Sequence, residues 1–472
     1  MPGEPSSRRA SERRSVALEN FKSFTASKVT PSKMRLERRR KIRLGPSEQD
    51  VATAVSSSGW LAAATATDLR LYYLNDKDSR KGIQPNKVHK ICMRNKGEKI
   101  RAIALSDDLL AIATYNRLIV YEYKVLSGFE DVMYDRVIDQ DETWTPKSVS
   151  ILQSGSVGSR SGATAWIAVG GEGQTGVKVF KYSYGNCWGS NSDRVILKCP
   201  HNSDAFKLVG FSPARLNTIQ RVMVYGVTTG NRVHCWEIRE RQSGMQDNRP
   251  FWSIDSNKTP SEASHRGNIT SASIIASPTE RPYMFCTVDH KHGSHLIRSF
   301  IAPIDFSQRF LRDDDVDVYP LPDTVVGRNV LAGAATPNGQ FVITLEGDTL
   351  KLLTLQGGYE GGLTCSTKTL DWPAPLKTSS GSASAISILV EESLGRLKVT
   401  AVDGGGTVVL AEISVPGMPA PPTPTLEGPR TFELPNFFAI GELPSPSEGT
   451  IRHSVSTATD SQIGDRMEII PG

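Results

Sequence analysis

The feature that most narrows what this chain can become is a three-part apolar pattern, clearest at residues 99–124 (KIRAIALSDDLLAIATYNRLIVYEYK), that recurs along its length. Segments 100–105, 109–114 and 118–123 are short and rich in β-branched, aromatic or small residues. They are parted by Ser106-Asp107-Asp108 and Tyr115-Asn116-Arg117. Each segment is too short for a stable helix and the separators are turn chemistry, so the pattern predicts a three-stranded antiparallel meander. A lone meander leaves its faces in water. Its copies must therefore bury one another.

The third segment makes the recurrence easiest to follow: it appears seven times, at 69–74, 118–123, 177–182, 233–238, 296–301, 350–355 and 408–413. A second segment precedes each across a polar or glycine-bearing hairpin, at 60–65, 109–114, 165–170, 221–227, 283–288, 340–345 and 396–402. Before that lies a first segment made largely of small residues, as at 51–55, 269–274, 330–335 and 384–388. Ala, Ser and Gly suit strands crowded around a common axis, where Leu would clash. The spacing of roughly 50 to 60 residues exceeds the about 40 to 45 of a tight propeller repeat, which leaves room for a fourth, outer strand. Segments 87–93, 132–138, 194–199, 251–254, 316–321 and 363–370 fit that place. The seventh copy has no such segment after it. Residues 34–44 are assigned there, closing the ring by pairing the chain's beginning with its end and removing open sheet edges.

The expected fold is all-β, a single seven-bladed β-propeller of four-stranded blades over residues 34–415. It is flanked by a disordered basic Ser/Arg-rich head (1–33) and a Pro-rich disordered tail (416–472). Blade boundaries are set only to within a few residues, so six or eight blades are alternative counts. A β-sandwich, which also shows regularly spaced strands, is the alternative fold.

In topology more than in motif, the chain resembles the WD-repeat-like β-propellers. A standard repeat carries a Gly-His pair near its start and a Trp-Asp pair closing its third strand. Here Trp236-Glu237 stands near the second place and no Gly-His pair occurs. A rigid ring with broad faces and long loops, such as 153–162 and 185–193, suits recognition of other proteins or peptides, so the expected function is a non-catalytic protein-interaction scaffold. Two alternatives stand beside it. One is an enzyme or small-ligand binder using the central channel; the other is a peripheral membrane protein held by the basic head, although the Phe-Arg-Arg-Gly motif of lipid-binding propellers is missing.

Charge is unevenly placed. Residues 1–46 carry 13 Lys and Arg against four Asp and Glu, while the whole chain is only +5. The balancing negative charge lies mostly after Val415, leaving the expected propeller near neutral. Arg38, Arg39, Arg40 and Lys41 sit in the run RLERRRKIR, which admits three readings: outer strand, nuclear import signal, or a patch for phosphate or lipid headgroups, weak contact with an anionic membrane included. Aromatics do not interleave with these cations, so stacking on single-stranded nucleic acid is not indicated. Arg8-Arg9-Ala10-Ser11 resembles a basophilic kinase site, which makes Ser11 a candidate phosphosite. Thr423-Pro424 and Ser445-Pro446 suit proline-directed kinases. Leu18, Phe21 and Phe24 at three-residue spacing, and the apolar stretch 431–440, are candidate docking segments.

The remaining motifs point away from catalysis. Residues 171–176 (GEGQTG) match a dinucleotide fingerprint, but residues 177–180 read as a strand, and the motif needs a helix N-terminus there to hold a pyrophosphate. Three of the eight histidines fall in the hairpin 289–295, with no second ligand constellation to complete a metal site. Neither a Gly-x-Ser-x-Gly elbow nor a P-loop occurs. No catalytic, cofactor-binding or metal-binding residue is therefore assigned. Six scattered cysteines without a CxxC read as small core residues in a reducing compartment. No apolar run approaches the about 18 residues of a membrane span, and no secretory leader is read, so a cytoplasmic or nuclear site is expected.

Overall fold

Hairpin corners in this chain are set by hydroxyl side chains that bond back to the strand leaving the turn. Ser56, Thr65, Ser106, Thr114 and Thr228 each accept through the side-chain oxygen from the N–H of the residue opening the next strand, at 3.0–3.3 Å. Such residues pin a tight turn and so fix the register of the strands beside it.

The computed structural model describes 29 strands and some of their adjoining turns between residues 35 and 414; residues 1–34 and 415–472, connections such as 155–163, 256–267, 290–298 and 305–317, and several hairpin turns lie outside the described residues. The chain divides after Pro421, and the second unit falls wholly within that outside portion. No helix occurs among the described residues.

The first strand, β1 (Arg35–Arg43), finds its partner at the far end of the propeller. Next, β2 (Ala52–Val55), β3 (Trp60–Ala64), β4 (Asp68–Tyr73) and β5 (Lys87–Lys90) form blade 1. Blade 2 is β6 (Ala102–Leu105), β7 (Leu109–Ala113), β8 (Arg117–Glu122) and β9 (Val132–Val137). Blade 3 is β10 (Thr145–Ser154), β11 (Thr164–Glu172) and β12 (Val177–Ser183), with β13 (Cys187–Trp188) and β14 (Val195–Leu197) both on β12. Blade 4 is β15 (Phe206–Phe211), β16 (Arg221–Thr228), β17 (Arg232–Arg239) and β18 (Trp252–Asp255). Blade 5 is β19 (Asn268–Ile275), β20 (Tyr283–Asp289), β21 (Phe300–Pro303) and β22 (Tyr319–Pro320). Blade 6 is β23 (Val330–Ala335), β24 (Phe341–Glu346), β25 (Thr349–Gly358) and β26 (Gly362–Asp371). Blade 7 is β27 (Ser387–Ser393), β28 (Arg396–Val402) and β29 (Thr407–Ser414), and β1 completes it by pairing antiparallel with β29.

The first strand of every blade touches the first strand of the next, from β2 through β6, β10, β15, β19, β23 and β27 and back to β2. The contacts form a closed cycle. The fold is a seven-bladed β-propeller.

Burial explains why the strands read as continuous apolar runs instead of alternating ones. On β7, Leu110 and Ile112 pack toward blade 1 while Leu109, Ala111 and Ala113 pack toward blade 3. Trp236 and Ile238 of β17 likewise face blade 3, whereas Val233 and Cys235 face blade 5. Each described core is thus an interface between two blades, and both faces of a blade's central strands are buried. Close approach limits side-chain size at the axis: a Cβ on Gly170 of β11 would lie 2.6 Å from Val209 Cγ1 and 2.9 Å from Phe206 Cβ of the next blade.

In several places the strands differ from those expected. In blade 5 the third strand runs to Pro303, two residues past the expected end at 301, with Phe300 paired to Cys286 and alternate residues facing opposite blades; residues 296–298 of the expected segment lie outside the described residues. In blade 7 the first strand runs on to Ser393, five residues past the expected end at 388, because Ser393 pairs with Arg396; residues 384–386 lie outside the described residues. The outer place in blade 3 is filled by two short strands, which makes that sheet five-stranded; one of them, β13, falls in the stretch expected as a loop at 185–193. β10 also runs on through Ser154, into the expected loop 153–162. Trp236-Glu237 does not serve as a repeat signature. Trp236 packs edge-on against Phe206 at 5.7 Å, and Glu237 pairs with Arg221 at 2.7 Å.

Candidate functional site

All seven first strands start at the same end of the ring, because every blade repeats one strand order. That end also carries the hairpins joining second to third strands and the connections leading from one blade to the next. Five successive blades share an irregularity there. In β10 the pairing skips Lys147, in β15 Lys207, in β19 Thr270 and in β23 Leu331. In blade 2, Arg101 donates its N–H to the Ala113 carbonyl (2.8 Å) although Ala102 is the partner of Ala113, so two residues again face one. These are β-bulges, which take one residue out of the ladder and re-aim its side chain.

The bulges are held rigidly. The residue before each one (Ile100, Pro146, Phe206, Ile269, Val330) is buried. Four of those five are tied to the preceding blade. Ile100 N–H donates to the Ala66 carbonyl (2.8 Å) and Ile269 N–H to Asn231 Oδ1 (3.1 Å); the Phe206 and Val330 carbonyls accept from Ser148 Oγ (3.5 Å) and Thr270 Oγ1 (3.2 Å). Asn231 meets this demand from a left-handed backbone (φ 59°), a conformation asparagine tolerates better than most residues. Bulges in five successive blades therefore border one mouth of the channel, and the residues at their extra positions run Arg, Lys, Lys, Thr, Leu.

Electrostatics single out the first three. Burial brings the Lys207 ammonium down to about 8, and its contacts are neutral: Asn231 Oδ1 at 2.8 Å and Asn268 Oδ1 at 2.5 Å. Arg101 has a buried Nε with no acceptor among the described residues. Lys147 bonds Glu172 Oε1 at 2.8 Å, but with side chains 39% and 48% exposed the pair is well solvated and contributes little. Behind the mouth, Glu98 in the connection entering β6 is fully engaged. Arg117 Nε donates to its Oε1 at 2.7 Å, Arg117 Nη2 to Oε2 at 3.1 Å, Thr114 Oγ1 to Oε1 at 2.6 Å and Arg94 N–H to Oε2 at 2.7 Å. Burial alone would push that carboxyl up, and these donors overcome it and hold it at about 2.

Of the residues singled out from sequence, Arg38, Arg39, Arg40 and Lys41 lie in β1, opposite Glu412, Ala411, Leu410 and Val409 of β29. Their run is an outer strand, and the structure does not bring them to the bulge ring. Ser11, the histidine loop beyond Asp289 and the stretch 431–440 lie outside the described residues. The GEGQTG segment leads from β11 into strand β12 without a helix, and Gly176 takes φ 69° where a Cβ would meet the Leu197 carbonyl at 2.2 Å. Cys199, Cys235 and Cys286 are free and buried, and burial raises the Cys235 and Cys286 thiols. No group of three metal-ligating side chains occurs among the described residues.

Sequence reading passes over Arg101, Lys147 and Lys207. A signal for them does exist: a buried residue, a variable one, then in most copies a small one (Ile-Arg-Ala, Pro-Lys-Ser, Phe-Lys-Leu, Ile-Thr-Ser, Val-Leu-Ala) opens five successive repeats.

No family model matches the chain, and no curated protein matches it. Among solved structures, the chain is similar to YCF48 bound to D1 peptide, at 11% identity over 80% of this chain and 96% of that one, with a TM-score of 0.40. It is also similar to BBS1N in complex with ARL6DN, at 11% identity over 82% of this chain and 97% of that one, with a TM-score of 0.43.

Proposed function

We propose that this protein is a non-catalytic platform for partner proteins or peptides, a divergent relative of the WD-repeat propellers, and that its working surface is the channel mouth bounded by the bulges. One observation carries the reading. The backbone device is repeated in five blades while the residue at its extra position changes from Arg to Lys to Thr to Leu. A recognition surface needs such a fixed frame with variable chemistry, and three of the five positions carry a cation.

The test places a photo-crosslinking amino acid at Lys147, on the ring, or at Lys87, which opens β5 near the opposite end of blade 1. Each full-length protein is irradiated in an extract of its own cells. Discrete protein adducts at position 147 and none in common at 87 are expected. Identical adduct patterns at the two positions, or none at 147, would overturn the reading.

A further inference from the structure

Resting on the platform reading above, we propose that the mouth over blades 1 to 4 is a docking site for an extended peptide segment of a partner protein that carries several anionic side chains, either acidic or phosphorylated.

Six cations lie at this end. Arg94, Lys96 and Lys99, all exposed, lie in the connection from β5 to β6, and Arg101, Lys147 and Lys207 follow on three adjacent bulges. Among the described residues at that end, Glu98 holds Arg117, Glu172 holds Lys147, Asp255 holds Arg232, Glu346 holds Lys351, and Asp68 accepts from Thr67. Lys96, Lys99, Arg101 and Lys207 have no carboxylate partner among the described residues. A guanidinium Nε buried without an acceptor, and an ammonium held only by neutral amide oxygens, are costly arrangements. An anion docked beside these cations offsets the cost of their charge.

Spacing selects the class of ligand. Packed sheets lie about 10 Å apart, less near the axis, so Arg101 and Lys207, two blades apart, are separated by about 15–20 Å. No single phosphate group bridges that distance. An extended chain rises about 3.3 Å per residue and puts alternate side chains on one face, so a segment of about five or six residues presents an anion to each bulge. For a nucleic acid strand, Tyr115 is the one large aromatic exposed among the described residues, which provides no stacking row.

The experiment is fluorescence anisotropy on the full-length protein with three short labelled peptides, identical except that alternate positions carry serine, glutamate or phosphoserine. Oligo-dT and phosphatidylserine vesicles serve as competitors. The charged peptides should bind with strong salt dependence and the serine peptide should not. Arg101→Gln and Lys207→Gln should each weaken binding about tenfold, as for loss of a hydrogen bond to a charged group, while Lys87→Gln leaves it unchanged at equal melting temperature. Tighter binding of phosphoserine marks a phosphorylated partner, and equal or tighter binding of glutamate an acidic one; both support the proposal. It is overturned if the serine peptide binds as well as the charged ones, if the triple variant Arg101→Gln, Lys147→Gln, Lys207→Gln retains binding, or if oligo-dT or the vesicles bind more tightly than either charged peptide. Protein adducts at position 147 without anionic-peptide binding would sink this assignment and leave the platform standing; failure of both removes both.

Discussion

Glu98 keeps its charge with only 1% of its side chain exposed because Arg117, itself 4% exposed, bonds it through two nitrogens. Removing one partner of a buried pair leaves the other uncompensated, so Glu98→Gln should cost about 3–5 kcal/mol at pH 7, measured by denaturant unfolding. The pH dependence has a definite sign. The carboxyl titrates near 2 in the fold against 4.5 ordinarily, so the unfolded chain takes up the proton first. The stabilisation is complete above about pH 4.5 and is lost as pH falls toward 2. Wild-type stability should therefore drop more steeply than that of Glu98→Gln across this window; parallel curves would refute the account. Lys207 works the other way. Burial lowers its pKa, so its positive charge at neutral pH strains the fold, a cost that makes sense at a binding surface.

Strand placement was largely legible in the sequence because short β-branched segments between turn residues leave little choice. Segment 396–402 matches β28 residue for residue, and 330–335 matches β23. The far end of the third strand in blade 5 was not legible, because it ends in Pro303 and meets Pro320, residues that sheets accept mainly at edges. The bulges were hidden for a different reason: a bulge is a property of pairing, and one segment read alone does not show which residue its partner skips. The assignment of 34–44 as the closing strand, by contrast, needed only the missing outer segment of the seventh copy, and β1 on β29 bears it out. Removing residues 1–33 should leave the melting temperature unchanged, while removing 1–44 should lower it by several degrees and expose the edge of β29. Equal melting temperatures for the two truncations would contradict that role.

For the molecule as a whole, the decisive fact is that the cores lie between blades. Leu110 and Leu109 serve two different neighbours, so a blade lifted from the ring has both faces bare. Stability is then a property of the cycle. Residues 52–199, which span three blades, should show no cooperative unfolding transition when expressed alone; a sharp calorimetric transition from that fragment would show that a partial stack suffices. The platform proposal draws on the same rigidity, since presented side chains hold their spacing only if the ring does not flex.

The pairing of β1 with β29 also imposes an order in time. Residue 35 leaves the ribosome long before residue 414. At about 5–20 residues per second, the Arg-rich strand waits roughly 20 to 80 s for its mate. Throughout that interval the nascent protein shows a positively charged, unpaired segment to every acidic surface in the cell. Whatever shields it then is as much a condition for a finished molecule as the folded contacts themselves.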